Sequence, residues 1–364
     1  NNWSISTNDG QNLLDPGETP RENAQFLTVL AAVVKGVHEY SDLLRLSAAS
    51  AGNDHRLGAN EAPPAVVSMF IGDELNAVIE EILSGIKMEA LGEKEFVIGV
   101  EALPNFPKDT TDRNRTSPFA FTGNKFEFRM LGSADSISCT NVMLNTIVAE
   151  ELSQFADILE KADDFLSALN DLLKKTFEEH KAIIFNGNGY SPEWLIEAAK
   201  RGLPNMTSTI DAIPCYLDEK NVKMFEKFKV YTKTEIASRT EILLENYSKV
   251  INIEALTMID MVRKQILPAS LEFTKKICDV IVSKKSAGLG VSLEDKIANK
   301  LSALCVSLDE AVCVLESKVI DAKSISETLD AAKFYRAEVF SAMQSLRAVA
   351  DELETMVADR KSVV

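Results

Sequence analysis

The chain has 364 residues, of which 46% are hydrophobic and 26% charged, a composition typical of a globular protein with a large core. Its formal net charge of −16 disfavours a general electrostatic attraction to nucleic acid or an anionic membrane, but it allows a local basic pocket for an anionic substrate. No uninterrupted apolar run reaches the roughly 18 residues that a membrane-spanning helix needs. The five cysteines are scattered and odd in number, which favours a reduced, cytoplasmic protein over a disulfide scaffold.

The first half of the chain contains most of the glycine and proline and predicts short elements separated by polar loops. Apolar residues that recur at helical spacing predict helices, and strict alternation predicts strands. The predicted helices cover 23–40, a segment that opens at Gly72 and stops at Gly85, and 143–155, and the predicted strands cover 96–100 and 125–130.

Long amphipathic helices are predicted from about residue 151 onward, and we therefore place a soft domain boundary near Glu150. Interruptions near Pro268 and at 286–290 predict an antiparallel helical bundle or hairpin that serves as scaffold or assembly surface. Capping patterns mark the helix ends. They are Ser191-Pro192-Glu193 with Gly202 as the stop, Thr232 with Glu235, Ser324 with Glu327, and a looser match at Ser292 with Asp295.

A polar segment at 53–64, punctuated by glycine and proline, lies between two apolar stretches and predicts a loop. A loop held between buried elements is a usual place for positioned polar groups, and Arg56 and Glu61 are the candidates here. The alternative interpretation is a plain surface ion pair between these two side chains.

A second polar stretch, residues 112–118, contains Arg113 and Arg115 close to hydroxyl groups and a proline. Guanidinium groups offer a planar fork of donors that suits phosphate or carboxylate. A solvated loop is the alternative, and on this stretch alone it is favoured.

The predicted strand at 125–130 has a polar and an apolar face. Side chains at i and i+2 of a strand share a face about 7 Å apart, which places Lys125, Glu127 and Arg129 together and Phe126 and Phe128 opposite them. The functional interpretation is an oxygen ligand for a divalent cation beside an arginine that binds phosphate or carboxylate. The alternative is the solvated outer face of a sheet.

Three pieces of sequence, taken in order, resemble glutamine synthetase, and specifically its type III class. They are the run Asn2-Trp3-Ser4, residues 51–64 with the spelling Arg-Leu-Gly-Ala-Asn-Glu-Ala-Pro-Pro, and residues 112–129, which end in Phe-Thr-Gly-Asn-Lys-Phe-Glu-Phe-Arg. The resemblance implies an α+β fold. In it, residues 1–150 are the C-terminal part of the catalytic domain, with antiparallel strands and helices, and residues 151–364 are an all-helical C-terminal extension.

The resemblance also implies ATP-dependent ligation of ammonia to glutamate through a γ-glutamyl phosphate, with Mg²⁺ or Mn²⁺ as the metal. A carboxylate is a poor electrophile, and its phosphorylation makes an acyl phosphate that ammonia can attack once cations and arginines neutralise the charge. The implied roles of single residues are Arg56, Glu61, Arg115 and Arg129 for glutamate, Glu61 and Arg129 also for catalysis, Asn2, Ser4, Arg115 and Lys125 for ATP, and Glu127 for the metal.

The resemblance further implies a homo-oligomer of stacked rings with active sites between neighbouring subunits. Because the family's metal-binding histidine and its other glutamate ligands belong upstream of Asn1, we expect this chain by itself to lack synthetase activity. Two alternatives stay open: a γ-glutamyl ligase that acts on another amine, and a non-catalytic regulatory or assembly homologue.

Overall fold

The computed structural model describes residues 1–59, 62–84 and 116–358, together with the backbone of 95–96 and 106–107. The chain divides into two compact units, residues 1–240 and residues 241–364. Position 150 lies inside a helix of the first unit. The boundary near Glu150 was placed where the sequence motifs end, whereas the packing of the chain changes at residue 240. The domain boundary near Glu150 therefore stays a prediction.

The first unit contains a small mixed sheet. Its strands are β1 (Asn2–Trp3), β2 (Met69–Phe70), β5 (Phe119–Phe121) and β6 (Phe126–Phe128), in the order β1-β6-β5-β2, while β3 (Glu95–Phe96) pairs with β4 (Phe106–Pro107). The pairs β1–β6 and β5–β6 are antiparallel, whereas β2 and β5 are parallel. The predicted antiparallel arrangement is wrong for the pair β2–β5, which is parallel. The long connection from β2 to β5, which includes a helix, is of the kind that lets a strand return in the same direction.

Helices surround this sheet in the first unit and make up the described part of the second, which confirms an α+β domain followed by helices. The helices of the first unit are α1 (Ala24–Glu39), α2 (Ser41–Ser47), α3 (Ala51–Asp54), α4 (Gly72–Ser84), α5 (Ile137–Leu159), α6 (Phe165–His180), α7 (Pro192–Lys200), α8 (Thr209–Ala212) and α9 (Glu219–Lys227). The remaining helices are α10 (Lys233–Met261), which runs from the first unit into the second, α11 (Leu267–Ser286), α12 (Ser292–Ala322), α13 (Thr328–Phe334) and α14 (Phe340–Met356).

The core of the first unit forms where the predicted apolar faces meet. Helix α1 begins at Asn23, whose side chain accepts a hydrogen bond from the Phe26 amide, and its predicted apolar stripe is fully buried. The ring of Phe26 lies 6.0 Å from that of Phe121 on β5, and Phe119 stacks on Phe126 at 4.6 Å. The helix predicted at 23–40 is therefore confirmed.

The other predicted elements of the first half differ from the structure mainly in their ends. The helix predicted at 143–155 is the middle of the longer α5, and the strand predicted at 125–130 is shorter, at 126–128. The strand predicted at 96–100 begins one residue earlier, and 97–100 lie outside the described residues, as does the predicted stop at Gly85.

Two of the predicted helix starts are confirmed and two are wrong. Ser191 caps α7, and Thr232 and Glu235 exchange the hydrogen bonds of a capping box before α10. Helix α13 instead begins after Glu327, because the Ser324 hydroxyl donates to the Asp321 carbonyl at the end of α12. Helix α12 includes Ser292 as its first residue, after Val291 and without a side-chain cap.

The second unit is the predicted bundle. Helix α12 packs against both α11 and α14, and its core positions are fully buried at Leu301, Leu308, Val312 and Leu315. The predicted interruption near Pro268 is a π-helical turn at Val262–Ile266, immediately before α11. Of the helices in the described part of the chain, none combines the length and the apolar composition that a membrane crossing requires.

A buried charge cluster joins helices α1 and α5. Lys35 donates to Glu151, and also to the side-chain oxygen of Gln154 at 2.9 Å. Burial raises the pKa of Glu151 to about 7, because the loss of water outweighs the attraction of the Lys35 ammonium. The ionised carboxylate therefore opposes folding above that pH.

Glu151→Gln removes this titration and keeps an acceptor beside Lys35. Because the folded-state pKa lies above the ordinary value of 4.5, the group's contribution to stability is present at low pH and declines as the pH rises from about 4.5 to about 7. We expect the free energy of unfolding of the native chain, relative to the variant, to fall by about 1–3 kcal/mol over this window, as measured by urea denaturation.

Taking the difference between the two proteins is essential in this experiment. Burial lowers the pKa of both His38 and His180, so these side chains favour folding in their neutral form and titrate in an overlapping pH range with the opposite sign. They are present in both proteins, so most of their effect drops out of the difference. A difference that does not change with pH would contradict the assignment to Glu151.

Candidate active site

The polar face predicted for strand β6 is present. Lys125, Glu127 and Arg129 are partly exposed, while Phe126 and Phe128 on the opposite face are completely buried. The strand is locked in place by two neighbours, β1 and β5, so its polar side chains rise from a fixed backbone.

Strand β1 adds the N-terminal candidates to the same face. Asn2 is the register partner of Glu127, and Ser4 follows two residues later. The Ser4 hydroxyl donates to the side-chain oxygen of Asn12 at 2.7 Å and also lies 3.3 Å from the carbonyl oxygen of Asn124, in the hairpin turn before Lys125. The structure therefore brings Asn2, Ser4, Lys125 and Glu127 together.

Glu127 and Arg129 form an ion pair along the strand. The Glu127 Oε2 atom accepts hydrogen bonds from Arg129 Nη2 at 3.0 Å and from Arg129 Nε at 3.2 Å. The Glu127 side chain is 34% exposed and that of Arg129 is 13% exposed, so the pair is open to solvent on the carboxylate side. The guanidinium orients the carboxylate and balances its charge.

Arg56 reaches the end of the same strand from the loop after α3. Its Nη1 atom donates to the carbonyl oxygen of Met130 at 2.9 Å and to Asn53 Oδ1 at 3.2 Å, and its Nη2 atom donates to the carbonyl oxygen of Arg129 at 3.0 Å. Within the described residues these bonds use three of the five guanidinium N–H groups. Nε–H and one Nη2–H group remain, and a carboxylate can accept hydrogen bonds from two such neighbouring groups.

The loop predicted at 53–64 is corrected at its start. Residues 51–54 form the single helical turn α3, because the Ser50 side chain caps the amide of Asn53. Asn53 is buried, and its Nδ2 group donates to the carbonyl oxygens of Ala48 and Met130 at 2.6 and 2.8 Å. This asparagine, which the sequence analysis did not single out, fastens the start of the loop to the end of β6.

Glu61 and Arg115 lie outside the described residues, as does Arg113. Their proposed roles and the alternative ion pair between Arg56 and Glu61 stay predictions. The flanking residues Ala62, Thr116 and Ser117 are buried.

A third segment, residues 186–190, packs against Pro64 and Thr116, which follow Glu61 and Arg115 in the chain. At Gly189 the turn at 186–190 passes so close that an added Cβ would overlap the Thr116 carbonyl oxygen and lie 3.5 Å from Pro64 Cδ. A cleft of about 440 Å³ opens beside it. The residues that line this cleft are Gly58, Ala59, Pro64, Gly189, Tyr190, Ser191 and Leu195.

The described residues supply Glu127 as one carboxylate at this site, and they contain no group of three or more side chains that could hold a metal ion. A divalent cation with oxygen ligands needs about six donors, so Glu127 by itself does not make a complete site.

Residues 168–285 match the family model described as the glutamine synthetase C-terminal domain. The chain is 42% identical to a glutamine synthetase of Butyrivibrio fibrisolvens and 41% identical to a type-3 glutamine synthetase of Dictyostelium discoideum, over 99% of the chain and 52% and 50% of those relatives. It is 38% identical to a glutamine synthetase of Bacteroides fragilis over 78% of the chain and 40% of that relative. The chain thus spans about half the length of the curated relatives it matches.

Gly189→Ala tests whether the close packing of the turn at 186–190 against Thr116 and Pro64 stabilises the protein. The new Cβ would overlap the Thr116 backbone, and we expect the free energy of unfolding to drop by about 1–3 kcal/mol in urea denaturation. Gly52→Ala is the matched control, because nothing lies within 4 Å of its Cβ position in α3, and we expect a change within about 0.5 kcal/mol. Equal stabilities of the two variants would contradict the close approach.

Proposed function

Because this chain belongs to the glutamine synthetase family, we propose that it provides glutamate-, nucleotide- and metal-binding groups for the ATP-dependent formation of glutamine from glutamate and ammonia. The observation that carries the proposal is the approach of Arg56 to the end of the strand that carries Glu127 and Arg129. Two arginines and one carboxylate at or near the same strand match a reaction between anions.

The chemistry explains why this set of groups is useful. Glutamate and ATP are both anionic, and transfer of the γ-phosphoryl group to a carboxylate requires their charges to be neutralised and their reacting atoms to be held in line. We assign the glutamate carboxylates to Arg56 and Arg129. The available N–H groups of the Arg56 guanidinium and the low exposure of Arg129 support this assignment.

The nucleotide is assigned to the other end of β6. Ser4 and Lys125 lie beside the hairpin turn, and Asn2 is the register partner of Glu127. A lysine ammonium there provides positive charge for phosphate oxygens. Arg115 completes the proposed ATP contacts, and Glu61 is the proposed residue that shields the acyl phosphate from water.

Glu127 is the proposed ligand of Mg²⁺ or Mn²⁺. The metal would lower the negative charge of the phosphates at the moment of transfer. The partly exposed carboxylate, held by Arg129, is suited to contribute one oxygen to such an ion.

Assembly and location complete the proposal. We propose a homo-oligomer of stacked rings in a reducing, cytoplasmic compartment. All five cysteines are free thiols, and exposed apolar side chains on the helices, among them Ile253, Val282, Val306 and Ile320, provide surface that subunit contacts could cover.

Glu127→Gln in the complete polypeptide that carries this chain tests the proposed metal role. We expect the Mg²⁺ concentration for half-maximal glutamine formation to rise at least about tenfold, because one charged ligand is lost. Phosphate release is measured at saturating glutamate and ATP over a series of Mg²⁺ concentrations. Glu160→Gln, at the exposed end of α5, is the control and should leave the Mg²⁺ dependence unchanged.

The same assay separates the possible outcomes. An unchanged Mg²⁺ dependence of Glu127→Gln would contradict the metal assignment. Release of phosphate with an amine other than ammonia as the preferred acceptor would favour the γ-glutamyl ligase alternative, and nucleotide binding without turnover would favour a non-catalytic homologue.

A further inference from the structure

The loop that carries Arg56 is held by buried polar contacts with residues that are distant in sequence. Asp54, two residues before Arg56, places its Oδ1 atom 2.8 Å from the Thr209 amide nitrogen and 2.7 Å from the Thr209 hydroxyl. Arg45 lies 3.7 Å from the same carboxylate oxygen. We call Arg45, Asp54 and Thr209 the Asp54 cluster.

The Asp54 cluster is shielded from water. The side chains of Arg45 and Asp54 are 2% and 1% exposed, and Thr209 is also buried. Arg45 is itself fixed, because its Nε atom donates to the carbonyl oxygen of Met206 at 2.8 Å. Charge-assisted hydrogen bonds in such surroundings are strong and directional, so the cluster defines the position of α3 closely.

The loop is thus fastened at two neighbouring residues that face different parts of the molecule. Asn53 donates to Met130 at the end of β6, while Asp54 accepts from Thr209 at the start of α8. The Arg56 amide then donates to the Asn53 carbonyl oxygen, so the backbone that carries the guanidinium is tied directly to this anchor. Loss of either anchor would let the turn rotate.

We propose that the Asp54 cluster positions Arg56. Through this cluster, Thr209 sets the affinity of the site for glutamate. This rests on the proposed function, in which Arg56 binds a glutamate carboxylate. Thr209 lies within the matched C-terminal domain, residues 168–285. That segment therefore takes part in substrate binding without touching the substrate.

Thr209→Val tests the proposal in the complete polypeptide. Valine keeps the shape and the backbone amide and removes the hydroxyl, which lies 2.7 Å from Asp54 Oδ1 and 3.0 Å from the Ser50 carbonyl oxygen. Of its bonds to Thr209, the loop then keeps the one from the Thr209 amide to Asp54. We expect the KM for glutamate to rise about tenfold while the KM for ATP changes less than about twofold. Thr209→Ser restores the hydroxyl and should return the KM for glutamate to near its original value.

Thr146→Val is the matched control. Its hydroxyl is also buried, but it donates to the Val142 carbonyl within α5, away from the loop. We expect an unchanged KM for glutamate, because the Val142 carbonyl keeps its helical hydrogen bond and the loop keeps both of its anchors. A KM for glutamate that is unchanged in Thr209→Val, or one that rises equally with the KM for ATP, would overturn the proposal.

A second readout does not depend on activity. Amide hydrogen exchange at 55–57 should be faster in Thr209→Val than in Thr146→Val, because the loop has lost an anchor. If the complete polypeptide binds no glutamate in calorimetry, the proposed function fails, and the exchange comparison still decides whether the cluster positions Arg56. Equal exchange rates would overturn the positioning role.

Discussion

The hydrogen bonds from the Arg56 guanidinium to the carbonyl oxygens of Arg129 and Met130 are the contact on which the candidate site depends. They join the loop that carries Arg56 to the end of β6, the strand that carries Glu127 and, just beyond its end, Arg129. The Arg129 guanidinium is in turn held by the Glu127 carboxylate. Together with the bond from Asn53 to Met130, this contact holds the loop and the strand as one polar surface.

The local charge of this site differs from that of the whole chain. The protein carries a formal charge of −16, yet Lys125 and Arg129 flank Glu127 along β6, and Arg56 reaches the end of the same strand from a loop. A basic site on an acidic protein favours small anionic ligands over polyanions such as nucleic acid, because the surrounding charge repels extended partners. This agrees with a substrate pair of glutamate and ATP.

The sequence predicted what depends on local spacing. Alternation at 125–130 predicted the polar face of β6, and helical spacing predicted the buried stripe of α1. Both predictions rest on local geometry, because side chains on one face recur every two residues in a strand and about every 3.6 residues in a helix. The helix start predicted at Ser324 is wrong, because a hydroxyl can bond either to the helix before it or to the helix after it. Here the Ser324 hydroxyl donates to a carbonyl oxygen at the end of α12. The parallel pairing of β2 with β5 depends on a long connection that no local pattern encodes.

The arrangement around Arg56 could be predicted only in part. The resemblance named Arg56, Glu127 and Arg129, but the contacts of Asn53 with Met130 and of Asp54 with Thr209 join segments 77 and 155 residues apart. The signal that could have pointed to them is a pair of short polar residues just before the arginine, but such residues are common in loops. Their partners follow from tertiary packing alone.

We propose that Arg56, Glu127 and Arg129 belong to one substrate site, and a crystal structure of the complete polypeptide with glutamate and a non-hydrolysable ATP analogue tests this proposal. We expect a glutamate carboxylate within about 3 Å of the Arg56 or Arg129 guanidinium, and phosphates over the face of β6 that carries Lys125 and Glu127. Glutamate and nucleotide bound at a surface that touches none of these side chains would contradict it.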